Sequence, residues 1–158
     1  MSDKTLKIND EILIYLDDGL RKPALEFAVY LNANQMMPKL WRPESKTWLT
    51  PYKEWNICMI QFEPNQWKVT FFFGDYNGEF DDGLFTTAVQ EHVQICTSCH
   101  GSCIGGMDTV IFGKAHTNAC SQLTIQFTNP SSNELEHINK LVEYKKTAPD
   151  SISFFADE

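Results

Sequence analysis

The chain has 158 residues, 13% of them aromatic, and a formal net charge of −8. This length predicts one domain that buries roughly two-thirds of its unfolded surface without needing staples, and the aromatic content excludes a disordered chain. The acidic balance excludes nucleic-acid and anionic-membrane partners, which need clustered Lys and Arg. Residues 8–33 carry helical periodicity in two stripes, Ile8, Ile12, Leu13 and Leu16, then Leu25, Phe27, Ala28, Val29 and Leu31. They predict two helices, or one that breaks near Gly19, with Pro23 in the first turn of the second.

Residues 36–52 hold three prolines and Trp41 and Trp48, which predicts one or two short strands with bends. Residues 55–62 are apolar on both faces, as in a central strand. Glu63-Pro64-Asn65-Gln66 is turn chemistry, and residues 67–73 return with Trp67, Val69, Phe71 and Phe73 on one face. An acidic loop, 75–83, leads to a helix over about 83–95, with Phe85, Ala88, Val89, His92, Val93 and Cys96 on its inner side. Strands are predicted at 108–112 and 122–128. The second places Leu123, Ile125 and Phe127 inside and Gln122, Thr124, Gln126 and Thr128 outside. Ser131 and Glu134 form a capping box opening a helix with Leu135, Ile138, Leu141 and Val142 buried and Lys145 and Lys146 in its last turn.

The expected fold is therefore α+β: a largely antiparallel sheet of about five or six strands, with N-terminal, middle and C-terminal helices packed on it. Residues 1–146 form the expected domain and 147–158 a tail containing Ile152, Phe154 and Phe155. No stretch approaches the roughly 18 apolar residues of a membrane span. Residues 1–7 lack the apolar run of a signal peptide, so the expected location is cytoplasmic.

Chemistry concentrates in one window, which holds Cys96, Cys99, Cys103 and Cys120. In a reducing compartment such clustering points to metal ligation or redox chemistry rather than structural disulfides. Cys96-x2-Cys99 is the tight pair that lets two thiolates chelate one ion. Cys103 lies in the same loop, and Cys120 returns from the start of the next predicted strand. Four thiolates match a closed tetrahedral zinc site, and an iron–sulfur cluster takes the same set. Gly101, Gly105 and Gly106 give the loop freedom to wrap an ion.

Other readings stay open. Cys96-Thr97-Ser98-Cys99-His100 matches the covalent haem pattern, but no export signal accompanies it and Cys103 and Cys120 have no role there. A Cys96/Cys99 redox dithiol is disfavoured if the pair follows a helix C-terminus, whose negative end raises thiol pKa values. The four thiols also read as incidental, and Cys58, mid-strand, as a small core residue. His92, His100 and His116 are reserve ligands, each also readable as a core or loop residue.

The loop at 75–83 starts like a calcium loop, but Phe80 stands where the turn needs Gly and Thr86 where it needs Glu; a solvated acidic turn fits better. Trp41, Trp48, Trp55 and Trp67 form either core or an aromatic pocket for a small molecule.

From the cysteine window onward, Thr109-Val110-Ile111-Phe112-Gly113-Lys114, Asn118-Ala119-Cys120 and Phe127-Thr128-Asn129-Pro130 follow in order. Over roughly 55–146 the chain resembles a family of small uncharacterised bacterial proteins with a Cys-rich loop, an Ile-Phe-Gly-Lys strand, a further Cys and a Phe-x-Asn-Pro step into a helix. Ala115 and His116 stand where that family carries an acidic and an aromatic residue. In layout the chain is also similar to YdhG-like domains of unknown function. Neither resemblance implies an activity. The expected function is a binding or interaction module with a structural zinc site at Cys96, Cys99, Cys103 and Cys120, serving an unknown small-molecule or protein partner. The enzymatic alternative is a thiol-dependent redox or metal-transfer protein.

Overall fold

The computed structural model describes residues 7–72, 76, 82–97, 105–121 and 124–147. The first helix, α1 (Ile8–Tyr15), buries Ile8, Glu11 and Ile12. The second, α2 (Asp18–Ala33), starts at Asp17, whose side chain accepts the Leu20 amide at 3.4 Å. The break thus falls before Gly19 because Asp17 is the stronger helix start. Arg21 reaches back to close the end of α1, donating to the carbonyls of Leu16 (2.6 Å) and Leu13 (2.9 Å). Pro23 sits inside α2 rather than in its first turn, a correction to its expected place.

Five antiparallel strands follow in the order β1-β2-β3-β4-β7: β1 (Lys39–Arg42), β2 (Thr47–Tyr52), β3 (Trp55–Glu63), β4 (Gln66–Phe71) and, after an intervening hairpin, β7 (Ile125–Thr128). That hairpin, β5 (Gly106–Ile111) with β6 (Lys114–Cys120), forms a second, two-stranded sheet. Helices α3 (Gly83–Glu91) and α4 (Ser132–Thr147) complete the chain. The architecture is α+β, as expected.

The main core lies between one sheet face and the helices. Ile60, Phe62, Val69, Phe71, Ile125 and Phe127 meet Ile12, Phe27, Leu31, Leu135, Ile138 and Leu141 there. Leu49, Met59 and Phe72 form a smaller cluster with Trp41. The capping box is present: the Ser131 amide donates to Glu134 Oε1, and the Glu134 amide to Ser131 Oγ, both at 3.2 Å.

Three expectations need correction. Helix α3 stops at Glu91, not 95, and Val93 and Ile95 instead bridge to Ile125 and Ala119. Both are β-branched, and the strands on either side offer them backbone partners, so pairing outweighs helical continuation. Second, β6 has no counterpart among the predicted strands. Lys-Ala-His-Thr-Asn-Ala-Cys shows no apolar alternation, and its pairing is set by the Phe112-Gly113 turn, where both residues have positive φ (47° and 84°). Third, Thr124 is buried rather than exposed, its hydroxyl donating to the Cys120 carbonyl at 3.0 Å. Gln122, Leu123, most of the acidic loop and residues 148–158 lie outside the described residues.

Candidate metal centre

The segment Val93–Ile95 sits between β7 and β6, and its backbone joins the two sheets. The Gln94 amide donates to the Thr124 carbonyl at 2.8 Å and the Gln126 amide to the His92 carbonyl at 3.0 Å. On the other side the Cys96 amide donates to the Asn118 carbonyl at 2.8 Å, and the Cys120 amide to the Gln94 carbonyl at 2.7 Å. These two bonds flank the Ile95–Ala119 bridge. Side chains alternate along a strand, so Cys96 and Cys120 project from the same face as diagonal neighbours, about 7–8 Å apart by strand geometry.

Gly106 pairs with Cys120 at the start of β5. A Cβ placed on Gly106 would stand 2.8 Å from Cys96 Cβ and 1.9 Å from Asn118 Oδ1. The loop between Cys96 and Gly106 therefore begins and ends at one point. Asn118, in the left-handed region at φ 57°, donates from its amide group to the Cys96 carbonyl at 3.4 Å, and its own backbone N–H goes to Asp108 Oδ1 at 3.1 Å. Cys96 and Cys120 are half-buried and not disulfide-bonded. Cys99, Cys103 and His100 lie outside the described residues. Among the described residues no group of three or more His, Cys, Asp or Glu stands together as a metal site.

Two details differ from the sequence reading. Cys120 ends β6 rather than starting the next strand. Cys96 lies in an extended segment five residues beyond α3, so the helix-end argument against a reactive dithiol falls away.

Of the reserve histidines, His92 and His116 lie among the described residues, and both have partners elsewhere. His92 packs against Phe127 with ring centroids 4.1 Å apart and the planes tilted by 31°, and its Nε2 lies 3.4 Å from Glu134 Oε2. His116 Nε2 hydrogen-bonds Gln90 Oε1, while Gln90 Nε2 donates to the Ile111 carbonyl at 2.6 Å. Burial and then the nearby Lys114 push the His116 pKa down, favouring its neutral form. Cys58 is core: burial pushes its thiol up to about 12, although Thr50 Oγ1 lies 3.2 Å away.

The chain matches no family model, no curated protein and no solved structure. Trp48 and Trp67 are core residues at 1% exposure. Phe112 anchors the tip of the β5–β6 hairpin, its ring edge-on to Tyr76 and Tyr144. The signal for this anchor was present in the sequence as Phe112-Gly113, but only the turn geometry shows its use. Among the described residues no helix is long and apolar enough to cross a membrane.

Proposed function

We propose that the protein is a binding or interaction module whose loop from Cys96 to Gly106 is closed by one zinc ion on Cys96, Cys99, Cys103 and Cys120. The observation that carries this reading is the register that puts Cys96 and Cys120 on one face at the loop's base. Covalent reach adds the other two thiols. Cys99 is three residues from Cys96, and Cys103 three residues from Gly106, so each is tethered within about 11 Å of that base. The donor set fits the ion: four soft thiolates suit a closed tetrahedral site, and the same four would accept an iron–sulfur cluster. His92 and His116 already have partners that hold them in place, which favours thiolates as the ligands.

The ion's role is structural: it would tie the loop to the junction of the two sheets, and the binding energy would appear as folding energy. The acidic surface favours a partner other than nucleic acid or an anionic membrane. The test is elemental analysis of protein purified without added metal. Near-stoichiometric zinc supports the reading, iron with inorganic sulfide replaces zinc by a cluster, and neither metal overturns it.

A further inference from the structure

Helix α2 has two unlike faces. Its inner face buries Pro23, Ala24, Phe27, Ala28 and Leu31. Its outer face is a shallow depression lined by Asp18, Arg21, Lys22, Leu25, Glu26 and Val29. Asp18, Lys22, Leu25 and Val29 follow the alternating four- and three-residue spacing of a helix–helix seam. Leu25 is half-buried, and Val29 is 66% exposed. Helix α1 extends the apolar surface with the exposed Leu13 and Ile14, and Arg21 ties the two helices by donating to the Leu13 carbonyl. A contiguous apolar stripe on the outside of a helix marks a contact surface.

The charges on this face select the partner. The chain carries −8 overall, so a second copy is repelled at long range, and a locally neutral face is where that repulsion is weakest. Here Asp18 and Glu26 are balanced by Arg21 and Lys22. Asp18 and Arg21 pair with each other at 3.1 Å. Lys22 and Glu26 are left over: among the described residues the Lys22 ammonium has no hydrogen bond or ion pair, and Glu26 accepts only the Ser132 hydroxyl, at 3.3 Å. Lysine four residues before glutamate is the poorer order for a pair within one helix. The face thus presents one free cation and one carboxylate without an ion pair, on either side of Leu25.

We propose that α2 pairs antiparallel with α2 of a second copy, forming a two-fold dimer. With the pairing centred on Leu25, the two Leu25 side chains meet on the axis, and Val29 packs on the stem of the partner's Arg21. At roughly 1.5 Å per residue, Lys22 and the partner's Glu26 are about 3 Å apart along the helix direction. Each leftover charge then finds its opposite, and symmetry makes the pair twice. The face is small, so the dimer belongs to the weak class, with a Kd of about 10–100 µM.

Sedimentation velocity on the full chain, under reducing conditions and over about 1–500 µM, tests this. The wild type should pass from monomer to dimer across that range. Val29→Glu, which puts a charge into the seam, should stay monomeric throughout. Lys22→Glu should raise Kd about tenfold by setting two carboxylates together, and Glu26→Lys should weaken the dimer as well, although it lowers the net charge. The double variant Lys22→Glu/Glu26→Lys should bind about threefold or more tighter than Lys22→Glu. All three positions are exposed, so the variants should keep the wild-type circular dichroism. A wild-type chain that stays monomeric, a Lys22→Glu variant that associates as the wild type does, or a double variant no tighter than Lys22→Glu would overturn the proposal.

Discussion

Cys96 and Gly106 stand against each other at the base of the cysteine loop, so close that a Cβ on Gly106 would lie 2.8 Å from Cys96 Cβ. The contact leaves no room for a Cβ where the loop closes unless Asn118 or Cys96 shifts. Asn118 fills the remaining space, its side chain against Gly106 and its carbonyl on the Cys96 amide.

Gly106→Ala should destabilise the fold by about 1–3 kcal/mol, because the added methyl meets Asn118 Oδ1 and Cys96 Cβ together. Urea unfolding measures this. Gly106→Ala with Asn118→Gly should recover part of the loss, since the nearer obstacle is then gone; no loss in the single variant contradicts the packing described.

Asn129 closes the main sheet. Its side-chain oxygen accepts the Trp67 amide at 2.9 Å, its own amide donates to the Trp67 carbonyl at 2.8 Å, and its backbone is left-handed at φ 48°. Asn129→Ala loses the acceptor and strains the backbone, so it should cost about 1–3 kcal/mol. Asn129→Gly keeps the backbone freedom and should cost less. Equal thermal unfolding of both variants and wild type would count against this role.

Glu11 predicts a pH dependence. Burial is the largest influence and pushes its carboxyl pKa up, Asp10 adds to this, and Lys46 opposes it. A raised folded-state pKa means the folded chain holds the proton more tightly. The stabilisation is then fully present below the unfolded pKa and is lost as pH rises through the folded one. Glu11→Gln escapes that loss. It should be more stable than wild type at neutral pH, by about 1 kcal/mol, with the advantage vanishing below about pH 4. Denaturant unfolding at both pH values checks it; an equal advantage at both would refute the assignment.

The main sheet and α4 were legible in the sequence because their apolar residues repeat with clear periods. Ile125 and Phe127 alternate, and Leu135, Ile138 and Leu141 follow the helical spacing. The junction that carries the cysteines was not. Val93 and Ile95 continue the stripe of α3 and also suit a strand, and the backbone of β7 and β6 decides between the two. Likewise β6 is polar and held by pairing rather than by an apolar face. The cysteine spacing suggested that the four thiols belong together; that Cys96 and Cys120 share a face follows from a bridge between residues far apart in sequence. Glu11 was hidden for the same reason: a glutamate on a short helix gives no sign that tertiary packing will bury it.

The most direct test of the four-cysteine site is X-ray absorption at the zinc edge on protein purified without added metal. The account predicts a first shell of four sulfur atoms at about 2.3 Å, reduced to three in Cys120→Ser. A shell with nitrogen or oxygen in place of sulfur in the wild type, or one unchanged in that variant, would contradict it.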